Sequence, residues 1–471
     1  MSYIRYKTLG NKVYAYEVSS YWDKEKKMSR QKSKYLGLVV DKEKGEFVKS
    51  SKVVKLEEKE LIVDFGDSYA IHEFIKTSDV LSSIQYSHPK LVDEIILLCI
   101  YKLSYPSAMT YLKSWYVGNY VSRLFPGIAV ESQRISEYLK KIGNENNLRK
   151  FFTKYLQLSY QAKDTLLIDT TALPNQVHMP ITSWGKVENQ IEKTIRFLFV
   201  VDKRTGKPLY FRYLPGQIPD VSVLSNTIRE LCHYDVSEPI AILDAGFVST
   251  ANLSELKSHN IKFLTRLRSG TRIYNDLLKK HVKDIEAVKN AYKYEKRVVY
   301  IKKSEIEMAG ISLYAYVVLD PITKAEKSTK FLANVLDDSV MTNVDLEFEL
   351  MKKGVFVLIS SIDIEPAELL YLYYERQKVE QLFGFLKDDL DILPLRVHGE
   401  ETLKGYLFIS FISLAVYVEM REKLKGKYSF EDSLIHLRNL KCKIYGSDEI
   451  IGERTKQQRE VFEYLGIRLP Q

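Results

Sequence analysis

The chain has 471 residues, 45% hydrophobic and 28% charged, the proportions of a globular protein with room for several domains rather than a disordered or fibrous chain. Its net charge of +9 is concentrated at one end, because Met1 to Leu56 holds 14 Lys/Arg against 6 Asp/Glu; this favours an anionic partner such as nucleic acid. Cys99, Cys232 and Cys442 are far apart and show no CxxC spacing, which argues against a disulfide framework or a zinc site and points to a reducing cytoplasm.

In chain order, residues 1–60 alternate polar and apolar, as in KVYAYEVSSYW and SKYLGLVV, and predict a basic antiparallel β subdomain with charged turns such as DKEKKMSRQK. Residues 61–162 switch to helical period. Within them SQRISEYLKKIG and NENNLRKFF have the pattern of a helix–turn–helix in which Arg134, Lys140 and Lys141 suit a DNA backbone. From 163 to 268 strands and helices alternate: TLLIDTTAL, two strands around the turn KRTGK, a helix near Val221, PIAILDAGF, STANLSELKSHN and IKFLTRLR. That order matches an RNase H-like mixed sheet flanked by helices.

Residues 269–353 read as a β-rich insertion through KRVVYIKK and ISLYAYVVLD. Residues 354–425 return to the parent core with the strand GVFVLISSI and a long helix opened by Pro366. The apolar run Gly405 to Val418 is short for a bilayer span; it reads as a buried helix, with no membrane partner expected. Residues 426–471 read as a basic helical C-terminal region. His178 and His398 have no metal-like partner spacing and read as structural.

Three acids stand out. Asp169 lies inside the apolar run LLIDTT and Asp244 at the end of AILDAGF, where burial is costly unless the carboxylate is paired, hydrogen-bonded or metal-bound. The third, Glu380, is in YYERQKVEQLFGFLKDDL. On a continuous helix Arg376, Glu380 and Lys387 fall at roughly 300°, 340° and 320° from Tyr373, beside an apolar stripe of Leu372, Val379, Leu382, Phe383 and Leu386. Taken alone, that spacing describes a solvated face with ion pairs such as Arg376–Glu380. With two strand-borne aspartates it also suits Mg²⁺ or Mn²⁺ held by carboxylates for phosphoryl chemistry.

Tyr373, Arg376, Glu380 and Lys387 reproduce a Tyr-x2-Arg-x3-Glu-x6-Lys signature, and LLIDTTALP and LDAGF supply two ordered aspartates. In these residues the chain resembles the DDE transposases of bacterial insertion sequences, most strongly from about Thr165 to Val418. The resemblance implies Asp169, Asp244 and Glu380 as catalytic ligands of two divalent ions, with Tyr373, Arg376 and Lys387 on DNA phosphates. It implies double-stranded DNA as partner (terminal inverted repeats and target), a homodimer in the synaptic complex and a nucleoid-associated location. It also implies an end-binding role for the N-terminal β and helical regions, and cut-and-paste transposition. An RNase H-like nuclease or resolvase without strand transfer, or a non-catalytic DNA-binding protein, are the alternatives.

Overall fold

The computed structural model describes residues 2–9, 12–23, 28–42, 46–48, 61–160, 165–175, 177, 179–187, 190–216, 220–234, 236, 240–308, 310–337, 343–395 and 397–469. The basic turn at 24–27 and His178 lie outside the described residues. The chain divides into two compact units, Met1–Leu61 with Lys443–Glu449, and Ile62–Cys442 with Ile450–Gln471.

The first unit is an antiparallel sheet in the order β1 (Ser2–Leu9), β2 (Lys12–Asp23), β3 (Met28–Asp41), β4 (Glu46–Val48). Ala15 and Val18 of β2 are buried, whereas Tyr21 and Trp22 of the same strand are exposed.

After the short strand β5 (Leu61–Asp64) the second unit is helical as far as Ser159. Its main sheet contains β6 (Thr165–Pro174), β7 (Ser183–Val187), β8 (Gln190–Asp202), β9 (Pro208–Pro215), β10 (Ile240–Leu243) and β11 (Lys262–Arg266). It continues with β12 (Ala291–Tyr294), β13 (Arg297–Met308), β14 (Ile311–Leu319) and β15 (Val355–Ser360). The order is β12-β13-β14-β15-β11-β10-β6-β8-β7, with β9 also on β8. β6, β10 and β11 are mutually parallel, and β8 and β15 are antiparallel to their neighbours in that trio. Every residue of β15 is buried, as expected of a strand covered on both faces.

The turn after β8 is closed by Asp202, whose carboxylate accepts the Arg204 and Thr205 backbone N–H groups at 3.1 and 3.0 Å. The segment predicted as a β-rich insertion is more mixed than its sequence suggested. It contains the helices Arg272–His281, Pro321–Asp337 and Asn343–Met351, and its strands extend the main sheet instead of forming a separate one. The physical reason is the β14–β15 ladder from Tyr314↔Ser360 to Leu319↔Val355, which satisfies the backbone groups of β15 on that side. Tyr316 is fully buried there, and its hydroxyl donates to the Ile364 carbonyl at 2.9 Å.

The run from Gly405 to Val418 belongs to a 25-residue helix, Glu400–Leu424, long and apolar enough to cross a membrane but with 89% of its apolar window buried. It is the central core element. Phe408 packs edge-on to Phe151 at 4.7 Å, and Phe411 lies 5.2 Å from Phe211 of β9 and 6.2 Å from Phe199 of β8. The predicted helix–turn–helix corresponds to Ser132–Ile142 and Glu145–Ser159. The apolar face of the second helix, including Leu148, Phe151 and Tyr155, is buried. Arg134 pairs with Glu137 at 2.7 Å and Lys140 with Glu401 at 3.6 Å.

Candidate active site

Asp169 sits in the middle of β6 opposite Phe199 of β8, and is only 7% exposed. Its Oδ1 accepts the Thr170 backbone N–H at 2.8 Å, and its Oδ2 accepts Arg376 Nη1 at 2.7 Å. β10 runs parallel to β6 with Leu243 beside Ile168, so one further residue along each strand brings Asp244 beside Asp169. The turn carrying Asp244 is fixed through its carbonyls. Thr265 donates to that of Asp244 at 3.3 Å, Arg268 to those of Ala245 and Gly246 at 3.0 and 2.7 Å, and Asn252 to that of Phe247 at 2.7 Å.

Glu380 arrives on a helix that is not continuous, contrary to the single long helix its periodicity predicts. Pro366–Tyr374 ends, Glu375 and Arg376 form a turn, Gln377–Gly384 follows, and Phe385–Asp389 widens into a π turn. At the break Arg376 N–H bonds the Tyr373 carbonyl and Val379 N–H the Arg376 carbonyl, both three residues back, at 3.3 and 3.0 Å. Such tighter bonds change the phase of the side chains on either side. Val379, Leu382 and Leu386 are buried as the stripe predicts, and Phe383 stacks on Phe199 at 5.3 Å, docking the helix on β8. Tyr373, expected on the DNA-facing row, is only 4% exposed. Lys387 is half-buried within the π turn.

Arg376 joins the acids. Its Nη1 lies 2.7 Å from Asp169 and 3.6 Å from Asp244 Oδ1, and its Nη2 lies 2.9 Å from Glu380 Oε1. The Arg376–Glu380 ion pair foreseen from spacing is formed, but the same guanidinium, expected against DNA phosphates, also spans both strand aspartates. Among the described residues no three acidic, histidine or cysteine side chains form a ready metal cage; Arg376 lies between the three carboxylates. The donor set itself suits a hard divalent cation, since it is made of carboxylate oxygens.

Burial pushes the Asp169 carboxyl up to about 6 against the pull of Arg376 and the Thr170 N–H, with Asp244 and Glu380 adding to the rise. Burial likewise lifts the Tyr373 hydroxyl to about 12. For Arg376, burial works against the charge, but Asp169, Asp244, Tyr373 and Glu380 outweigh it, so its pKa is raised.

One supporting residue had no sequence signal. Lys102, 1% exposed, donates from Nζ to the Leu390 and Asp391 carbonyls at 3.0 and 3.3 Å and to the Tyr406 hydroxyl at 2.8 Å. An ammonium at the carbonyl end of the π turn is electrostatically favourable, and it ties that end to the core helix. Only its long-range partners give it meaning, and those lie nearly 300 residues away.

Residues 160–416 match the family model described as a transposase DDE domain. The chain therefore belongs to the DDE-domain transposase family. Among solved structures it is similar to a piggyBac transposase in a synaptic complex with hairpin DNA, with 13% identity, 79% of each chain covered and a TM-score of 0.43. No protein among the curated sequences compared matches it.

Proposed function

We propose that the chain is a metal-dependent, cut-and-paste DNA transposase of an insertion sequence. It binds the terminal inverted repeats of its element as a synaptic homodimer, hydrolyses phosphodiester bonds at the ends and transfers the 3′-hydroxyls to target DNA. The observation that carries this reading is the meeting of Asp169, Asp244 and Glu380, drawn from two neighbouring parallel strands and a helix, around one guanidinium. The strand order β9-β8-β6-β10-β11, with β6, β10 and β11 parallel and β8 antiparallel to β6, supports an RNase H-like core.

Asp169, Asp244 and Glu380 would hold two Mg²⁺ or Mn²⁺ ions. Bound there, such ions supply Lewis-acid activation of a water or 3′-hydroxyl and neutralise charge at phosphorus. The protein's part is to fix the carboxylates. Asp169 is held rigidly in the sheet, while the side chains of Asp244 and Glu380 are 42% and 51% exposed and open to a phosphodiester. Lys387 and the basic first unit add positive charge for the DNA backbone.

The reading is tested with the full-length protein, Mn²⁺ and a duplex of the DNA flanking its coding sequence. Specific nicking at the element's ends followed by joining to a second DNA is expected. Cleavage without joining would favour a nuclease.

The pH dependence follows from Asp169. Its carboxyl titrates near 6 rather than 3.8, so it is ionised at neutral pH and a cation must displace a proton below that point. Apparent Mn²⁺ affinity should therefore fall about fourfold between about pH 7.5 and about pH 5.5. A flat calorimetric profile would contradict Asp169 as a ligand. The same shift makes the folded state the better proton binder between 3.8 and about 6, so this group's contribution to stability is lost as pH rises through that window.

A further inference from the structure

We propose that Arg376 is an internal counter-ion that competes with divalent cations for the acidic centre and leaves it when a DNA phosphate arrives. This rests on the metal-dependent reading above. Asp169 Oδ2, Asp244 Oδ1 and Glu380 Oε1 are the oxygens that face Arg376, at 2.7, 3.6 and 2.9 Å. A guanidinium has donors only, so it occupies the lone pairs a cation would use. A dication among the same oxygens would also meet its positive charge at close range and in partial burial, where repulsion is poorly screened. The two occupants exclude one another.

The location of Arg376 makes the exchange local. It lies at the break between Pro366–Tyr374 and Gln377–Gly384, where the chain is held by three-residue hydrogen bonds rather than by a continuous helical ladder. Its side chain is still 19% exposed, so the guanidinium has a route to solvent. The anion best matched to draw it out is a backbone phosphate, which accepts two parallel N–H bonds from arginine. DNA binding and cation loading are then coupled, each strengthening the other by the same factor.

The test is calorimetric titration of the full-length protein with Mn²⁺, alone and with the flanking-DNA duplex described above. For the parent protein, the duplex should tighten Mn²⁺ binding by at least about tenfold, a coupling of ordinary size. R376Q, which keeps hydrogen-bonding capacity but loses the charge, should bind Mn²⁺ without DNA at least about tenfold tighter than the parent, with little further gain from the duplex. R376K, with a point charge and no fork, should fall between them. Thermal melts in EDTA provide the folding control: R376Q should melt below the parent, and Mn²⁺ should restore it.

Equal or weaker Mn²⁺ binding by folded R376Q overturns the counter-ion role. If Asp169→Asn leaves parental Mn²⁺ binding unchanged, or if no form binds Mn²⁺, the metal-dependent reading itself fails and the counter-ion role with it.

Discussion

Asp169→Asn and Glu380→Gln are each expected to lose end cleavage by about a hundred- to a thousandfold, the scale set by removing a group that acts on developing charge, while remaining folded. Asparagine preserves the size of Asp169, and its side-chain oxygen still accepts the Thr170 N–H seen at 2.8 Å. It removes the negative charge that opposes burial in β6, so the sheet is not expected to suffer. What disappears is an anionic ligand and the partner of Arg376 at 2.7 Å. For Glu380, half-exposed and outside the buried stripe, packing loss is smaller still. Denaturing gels of an end-labelled duplex give the rate, and circular dichroism melts give the stability. Parental cleavage by either variant would remove its acid from the catalytic set.

The largest stability effect is expected far from that site, where Gly143 and Gly405 let two helices touch through their backbones. A Cβ on Gly405 would collide with the Leu139 carbonyl oxygen and lie 2.7 Å from its carbon. One on Gly143 would collide with the Glu401 oxygen and lie 2.8 Å from the Gly405 nitrogen. No side chain can rotate to relieve either clash, because the obstructing atoms are backbone.

Helix propensity alone predicts that Gly405→Ala gains about 1 kcal/mol. The clash predicts a loss of about 3 kcal/mol instead, at the upper end for overpacking. Urea unfolding distinguishes the two by sign. A stabilised variant would mean that Ser132–Ile142 does not lie as close to Glu400–Leu424 as described. The consequence for activity is indirect but follows from the packing. Phe411 of that helix lies against Phe199, the residue paired with Asp169 and stacked on Phe383 of the Glu380 helix.

Much of this was legible in the sequence because it depends on local pattern. LLIDTT and AILDAG are apolar runs interrupted by an acid, and the apolar stripe Val379, Leu382, Phe383 and Leu386 identified the docking face. The i,i+4 spacing of Arg376 and Glu380 foretold their ion pair. What could not be read depends on contacts across the chain. The break at Glu375–Arg376 has no glycine or proline to announce it, and Arg376 reaches aspartates more than 130 residues upstream only because β6 and β10 lie side by side. Tyr373 is buried for the same reason, since a helical wheel assumes a continuous helix. Likewise, KRVVYIKK and ISLYAYVVLD were recognisable as strands, but their own residues do not reveal that they extend the main sheet through β15.

The proposed role of Asp169, Asp244 and Glu380 in DNA strand transfer turns on the fate of a free 3′-hydroxyl. The most direct measurement is a joining reaction with the full-length protein, Mn²⁺, an end duplex carrying a free 3′-hydroxyl and a supercoiled plasmid, read by sequencing the junctions. End-to-plasmid junctions through that 3′-hydroxyl are expected, abolished by Asp169→Asn and by Glu380→Gln. Junctions formed equally by those variants, or cleaved ends that never join, would contradict that role.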